Sequence, residues 1–153
     1  MLFSKRERLI RRILVVEDEP LVAFDNEHML GDAGYEVVAT VDNVTDAERV
    51  IAEEQLDLIL TDIALAGERT GVDVARAAAF KQIPVLFVTG NCPVEARTLS
   101  VGCLAKPYTE KGLISALETL DRMFQGKPVK KPPAGLSLYE RPDDQDPPPS
   151  LRA

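Results

Sequence analysis

Three acids, one hydroxyl and one amine in this chain each close a short apolar run. Glu17 and Asp18 follow "RILVV" in "VVEDEP", and Asp62 ends the leucine- and isoleucine-rich "LDLILTD". Thr89 ends "IPVLFVT", and Lys106 follows "CLA" in "CLAKPY". A carboxylate in a run suited to burial is costly unless it is paired or lifted to the surface. Carboxylates gathered in one place repel, and at neutral pH they call for a cation. Hard oxygen ligands on a partly open surface suit Mg²⁺, which keeps several waters and uses one or two carboxylates. Beside such an ion Asp62 is a nucleophile able to take a phosphoryl group as an aspartyl phosphate. The ion and the Lys106 ammonium would neutralise charge on the transferring oxygens. The Thr89 hydroxyl could donate to a phosphoryl oxygen.

Taken singly, these residues have plainer readings. Acids after a strand often sit idle at a helix N-terminus, a threonine often marks a turn, and a lysine is usually a solvated charge. Their placement at four strand ends is what joins them, and that placement depends on the elements between. "RILVV" (12–16) is a short β-branched run, hence a buried strand. "EPLVAFDNEHMLGDAG" has apolar residues at helical spacing, with Leu21, Phe24 and His28 on one side, and Gly34 can form its left-handed cap. "YEVVATV" is a second strand. "TDAERVIAEEQ" is a helix with a capping box, Thr45 and Glu48. "LDLILTD" is the third strand and "TGVDVARAAAF" the third helix. "IPVLFVT" and the very short "CLA" are the fourth and fifth strands. "TEKGLISALETLDRMF" closes with Leu113, Leu117, Leu120 and Phe124 as a helical stripe. The alternation implies an α/β fold: a (βα)5 doubly wound, five-stranded parallel sheet covered on both faces, a flavodoxin-like three-layer sandwich. In such sheets ligands bind outside the carboxyl ends of the strands, where the strand order reverses.

The 153 residues suit one domain, and 45% hydrophobic content allows a full core. A net charge of −7 argues against nucleic acid or a membrane surface as partner. No apolar run approaches the roughly 20 residues that cross a bilayer, and the start lacks the pattern of a signal peptide, so a cytoplasmic protein is expected. Cys92 and Cys103 form no framework, which implies reduced packing thiols. Residues 1–11 read as a basic extension and 12–125 as the folded domain. Residues 126–153, with seven of the 11 prolines, read as a disordered tail.

"VVEDE", "LILTDIAL", "FVTG" and "KPY", in this order across residues 12–124, resemble the receiver domain of two-component response regulators. The resemblance implies that Asp62 accepts phosphate from a phosphohistidine on a sensor histidine kinase or a histidine phosphotransfer protein. It implies Mg²⁺ ligation by Asp18, Asp62 and the main-chain carbonyl of Ala64, with Glu17 holding a metal-bound water. Thr89 becomes the switch hydroxyl, Lys106 the phosphate-contacting lysine, and the Lys106–Pro107 peptide is expected to be cis. Many receivers carry an aromatic three residues before the lysine; here Cys103 stands there. The link from Thr89 to Lys106 is also shorter than usual, so the fourth helix must be curtailed or frayed. "FVTG", with the missing aromatic, resembles an alphaproteobacterial branch with a "FATG"-like fourth strand. Ala64 is small, which implies a phosphate open to water and short-lived.

Two other classes compete. A haloacid-dehalogenase-type phosphatase also uses a strand-end aspartate, but it needs a second aspartate where Ala64 stands. A degenerate receiver, binding partners without phosphate, is counted against by the intact acids, Thr89 and Lys106. His28 lacks a catalytic neighbour and reads as packed or solvent-facing, and Tyr108 as a surface ring. With no room for an output domain after Phe124, the signal is expected to leave through a downstream protein partner, from a monomer.

Overall fold

Ile13 and Val15 belong to one hydrophobic cluster and Leu14 and Val16 to another, and all four are fully buried. A strand alternates its side chains between faces, so both faces of this one are covered. The computed structural model describes residues 7–129 and 131–139. Its strands are β1 (Arg12–Val16), β2 (Glu36–Val41), β3 (Leu58–Thr61), β4 (Val85–Thr89), β5 (Gly102–Ala105) and β6 (Leu136–Leu138). Between them run α1 (Pro20–Asp32), α2 (Val44–Glu53), α3 (Gly71–Phe80), α4 (Ala96–Leu99) and α5 (Glu110–Phe124).

The sheet order is β2-β1-β3-β4-β5-β6, parallel from β1 to β5. The order reverses between β1 and β3, which places a crevice at the carboxyl ends of those two strands. On one face, Leu30 of α1 and Leu113, Leu117 and Leu120 of α5 pack on Ile13, Val15, Leu60 and Leu104. On the other, Ile51 of α2 and Val74 and Ala78 of α3 pack on Leu14, Ile59 and Phe87. The α/β sandwich is the expected one.

The sixth strand corrects the five-stranded expectation and the reading of the tail from residue 126 as disordered. β6 pairs antiparallel with β5, and the pairing continues through Tyr139 N–H to Val101 O at 3.0 Å and Ala105 N–H to Gly135 O at 2.9 Å. Leu136 is 6% exposed and joins the first cluster. The pairing satisfies an edge that would otherwise stand open. Gly102 permits it, because a Cβ there would lie 2.6 Å from Ser137 O. Expectations for residues 1–6, 130 and 140–153 fall outside the described residues.

The basic extension also has a correction. Leu9 and Ile10 donate their N–H groups to the Asp121 carboxylate at 3.0 Å each, and Ile10 is fully buried. Arg8 lies over the Tyr35 ring, 4.3 Å from its centroid, and donates to Ala33 O at 2.7 Å. Residues 8–11 therefore belong to the domain, with Leu9 and Ile10 clamped to α5 and Arg11 N–H bonded to Asp57 Oδ2 at 2.9 Å.

Three local expectations also shift. Leu21 and Phe24 of α1 face solvent, at 81% and 67% exposure, while Asn26 and Leu30 face inward. His28 is solvent-facing as expected and stacks on Phe24. The cap of α2 is Asn43, whose side chain accepts from Asp46 N–H at 2.9 Å. Thr45 instead accepts a hydrogen bond from Arg69, which pairs with Glu48; the capping box of the fold is Thr70 with Asp73 on α3. Gly34 does take the left-handed conformation, φ 94°, and α4 is a single turn. Finally, Cys92 and Cys103 are joined as a disulfide rather than standing as separate thiols. β4 and β5 are neighbours, and the short connection between them returns Cys92 to the flank of β5, with 6.3 Å between the two Cα atoms.

Candidate functional site

The crevice is built from backbone first. Glu17 N–H donates to Val41 O at 2.9 Å, and Asp62 N–H donates to Val16 O at 3.0 Å, which extends the sheet one residue into the site. Lys106 N–H donates to Thr89 O at 2.9 Å, setting the ends of β4 and β5 side by side. The Lys106–Pro107 peptide is cis, as expected.

Side chains then converge. Lys106 Nζ donates to Glu17 Oε1 and to Asp62 Oδ2, each at 2.6 Å. Asp62 Oδ1 accepts from Ile63 N–H at 2.6 Å and from Ala64 N–H at 3.3 Å. Glu17, 2% exposed, also accepts Glu19 N–H at 3.2 Å. Asp18 is exposed and stands outside these ion pairs, yet Glu17, Asp18 and Asp62 each bring one carboxylate oxygen within 4.8 Å of the others. One ammonium against three carboxylates leaves the cluster net negative. Oxygen donors of that number and charge are what a hard divalent cation requires; the acidic cluster fits such an ion. Burial works against the Lys106 charge, but hydrogen bonds to Asp62 and Glu17 outweigh it and hold its pKa above the ordinary lysine value. The ammonium is therefore a fixed positive charge at any physiological pH.

Of the residues singled out from the sequence, Glu17, Asp18, Asp62 and Lys106 meet. Ala64 lies beside them and gives its N–H to Asp62. Thr89 ends the strand adjoining β3, but its hydroxyl is engaged with the Asn91 backbone, at 3.5 Å to both O and N, not with Asp62.

Two contributors escaped the sequence reading. Gly71, first residue of α3, donates its N–H to Ile63 O at 2.8 Å, and a Cβ there would lie 2.0 Å from Asp62 O. Only glycine lets α3 start this close to the acid; a glycine directly after the capping threonine was the available signal. Asn26 is 1% exposed and accepts from Tyr108 O–H at 2.5 Å, so Tyr108 is a half-buried ring that also ties α1 to the β5–α5 loop. Burial first of all raises the Tyr108 pKa. A polar residue within the apolar spacing of α1 gave no clue, since its partner lies 82 residues away.

Comparison with known proteins bears on this geometry. The model of the response regulator receiver domain matches residues 13–118. The Mycobacterium tuberculosis transcriptional regulatory protein PdtaR is 32% identical over 121 residues, covering 75% of this chain and 58% of that protein. The chain thus spans little more than half the length of this curated relative. The signal receiver domain of a modulated diguanylate cyclase from Desulfovibrio desulfuricans superposes with a TM-score of 0.68 at 30% identity, covering 76% of this chain and 97% of that one. The response regulator PhyR from Brucella abortus gives 0.66 at 28% identity, covering 78% and 50%. No described helix is long and apolar enough to cross a membrane. With the acids at the switch of strand order and the lysine bridging two of them, the chain belongs to the response regulator receiver domain family.

Proposed function

We propose that this protein is a phosphoacceptor switch in which Asp62 takes a phosphoryl group from a phosphohistidine, carried by a sensor histidine kinase or a histidine phosphotransfer protein. The observation that carries the reading is the Lys106 ammonium shared at 2.6 Å by Glu17 and Asp62, with Asp18 close by. Glu17, Asp18, Asp62 and the Ala64 carbonyl would hold Mg²⁺, which when bound neutralises charge on the transferring oxygens.

The chain's own residues then have distinct tasks. Two backbone N–H groups hold Asp62 Oδ1, which leaves Oδ2 as the oxygen that attacks phosphorus while the phosphohistidine nitrogen departs. Lys106, already at Oδ2, follows the charge onto the phosphoryl oxygens. Thr89 leaves its weak contacts with Asn91 and donates its hydroxyl to the phosphoryl group, carrying the β4–α4 segment with it. Water reaches the aspartyl phosphate past the small Ala64 side chain, so the adduct is short-lived. The exposed pair Leu21 and Phe24 on α1, the helix that begins two residues after Asp18, offers the donor an apolar foothold. Output passes to a downstream protein, or onward as phosphate, from a cytoplasmic monomer.

Incubation of the full chain with Mg²⁺ and acetyl phosphate, followed by intact-mass measurement, tests this. The expected result is a labile phosphoryl adduct that disappears without Mg²⁺ and in Asp62→Asn. A wild-type protein that never gains the adduct would leave the phosphate-independent reading in its place, and turnover of a phosphate ester the phosphatase reading.

A further inference from the structure

The hydrogen bonds of residues 93–100 close within the segment itself. Among the described residues, Ala96, Arg97, Thr98 and Ser100 donate their N–H groups only to Pro93, Val94, Glu95 and Ala96, and the Thr98 and Ser100 hydroxyls turn to Glu95 and Ala96. No ladder bond joins this stretch to the sheet. It is held by the burial of Ala96, by packing of Leu99, and by the covalent link from Cys92 to Cys103. Cys92 follows Asn91, whose backbone engages the Thr89 hydroxyl. The link therefore fastens the segment carrying the Thr89 contacts to the middle of β5.

The two cysteines are unequal. Cys103 is fully buried in β5, whereas Cys92 is half-buried and lines an open cleft of about 610 Å³ with Val94, Arg97, Thr98 and Tyr139. The Cα separation of 6.3 Å lies within the range that a disulfide spans without backbone movement. We propose that Cys92 and Cys103 are a reversible thiol–disulfide couple that tethers the β4–α4 segment when oxidised and frees it when reduced.

A small-molecule disulfide such as glutathione disulfide supplies the oxidant. The Cys92 thiol gives its proton to solvent, and the thiolate attacks one glutathione sulfur, breaking the S–S bond and releasing one glutathione thiolate. The Cys103 thiol then loses its proton, and its sulfur attacks Cys92 Sγ, releasing the second glutathione. Two cysteine thiols have given up two electrons and two protons; glutathione disulfide has taken up both electrons and, once protonated, leaves as two thiols. Dithiothreitol reverses the exchange. The consequence for signalling rests on the Asp62 reading: the oxidised tether prevents the Thr89 segment from rearranging around a phosphoryl group.

The experiment uses the full chain, equilibrated with glutathione disulfide or with dithiothreitol. Thiol alkylation is read by mass, and backbone amide exchange is read over residues 91–100. The expected result is that both cysteines resist alkylation after glutathione disulfide, and that exchange in the segment is about tenfold faster in the reduced form. Cys92→Ser, at the more accessible position, should exchange at the reduced rate in both buffers. Free alkylation of both thiols after glutathione disulfide, or equal exchange in the two forms, would overturn the tether. A second arm adds Mg²⁺ and acetyl phosphate and counts the Asp62 adduct in each form. An adduct in both, with segment exchange altered only in the reduced protein, supports the signalling consequence; the same change in both forms overturns it. Redox-dependent exchange with no adduct in either form removes the phosphoacceptor reading and leaves the tether standing.

Discussion

Lys106 is the residue on which both the charge balance and the shape of the site depend. Glu17 is almost wholly buried and has this ammonium as its ionic partner. In Lys106→Ala, Glu17 and Asp62 are left facing each other without compensation, and stability should fall by about 2–4 kcal/mol, read by urea unfolding at neutral pH. Mg²⁺ should restore part of the loss, because an ion bound by the folded acids stabilises the folded state by mass action. Recovery by NaCl alone at equal ionic strength would show general screening instead. The sign with pH follows from the raised lysine pKa: the contribution is complete below the unfolded value of 10.5 and is lost only as pH climbs through the higher folded value.

Tyr35 offers a second test at this scale. Burial first, and the Asp121 and Glu118 charges after it, push its phenol up to about 12, against the opposing pull of Arg8. The folded state therefore holds the proton more tightly than the unfolded chain, and stability falls as pH rises from 10 towards 12. The buried Tyr35 hydroxyl has no hydrogen-bond partner among the described residues. Tyr35→Phe keeps the ring under Arg8, so its stability at pH 7 should match the wild type or exceed it by up to about 1 kcal/mol. A phenol ionising near pH 12 should vanish from an absorbance titration at 295 nm. A loss of more than about 1 kcal/mol would mean that the hydroxyl is partnered in solution.

At the scale of elements, β1, β3, β4 and β5 were the most legible part of the sequence. Their unbroken apolar runs can only be buried on both faces, and each acid or amine of the site comes directly after such a run. Helices were harder, because several residues can claim one end. Thr45 with Glu48 satisfies the spacing of a capping box, but Asn43 lies two residues earlier in the chain and closes the turn first. Asn43→Ala should cost about 1 kcal/mol in thermal or urea unfolding, and Thr45→Ala clearly less; the reverse order would restore the capping box. In α1 the apolar spacing was real, yet Leu21 and Phe24 turn outward, since a moderately apolar helix shows its periodicity without showing which face meets the sheet. Gly71 and the Asn26–Tyr108 pair belong to contacts between elements, and such contacts leave little trace in local pattern.

For the whole molecule, the folded unit extends beyond the residues that alternation marks out. Ile10, clamped through Asp121, and Leu136, held by β6, both join the cluster shared by α1 and α5. Proline content hid the three-residue strand, since composition averages over a stretch in which only "LSL" alternates. A chain ending after Val129 should lose about 2–3 kcal/mol, from exposure of the Leu136 pocket and the loss of strand pairing. It should also self-associate through the bare β5 edge, seen as concentration-dependent light scattering. Unchanged melting and a monodisperse solution would mean that β6 contributes nothing to the fold.

Gly102 gives this edge an evolutionary signature. The missing methyl group at that position makes room for another stretch of main chain, so a substitution that adds a side chain forces the final strand to shift. Among related receivers, a glycine here and a leucine-flanked extension beyond the last helix should be inherited as a pair. A lineage that loses one has no remaining selection to keep the other.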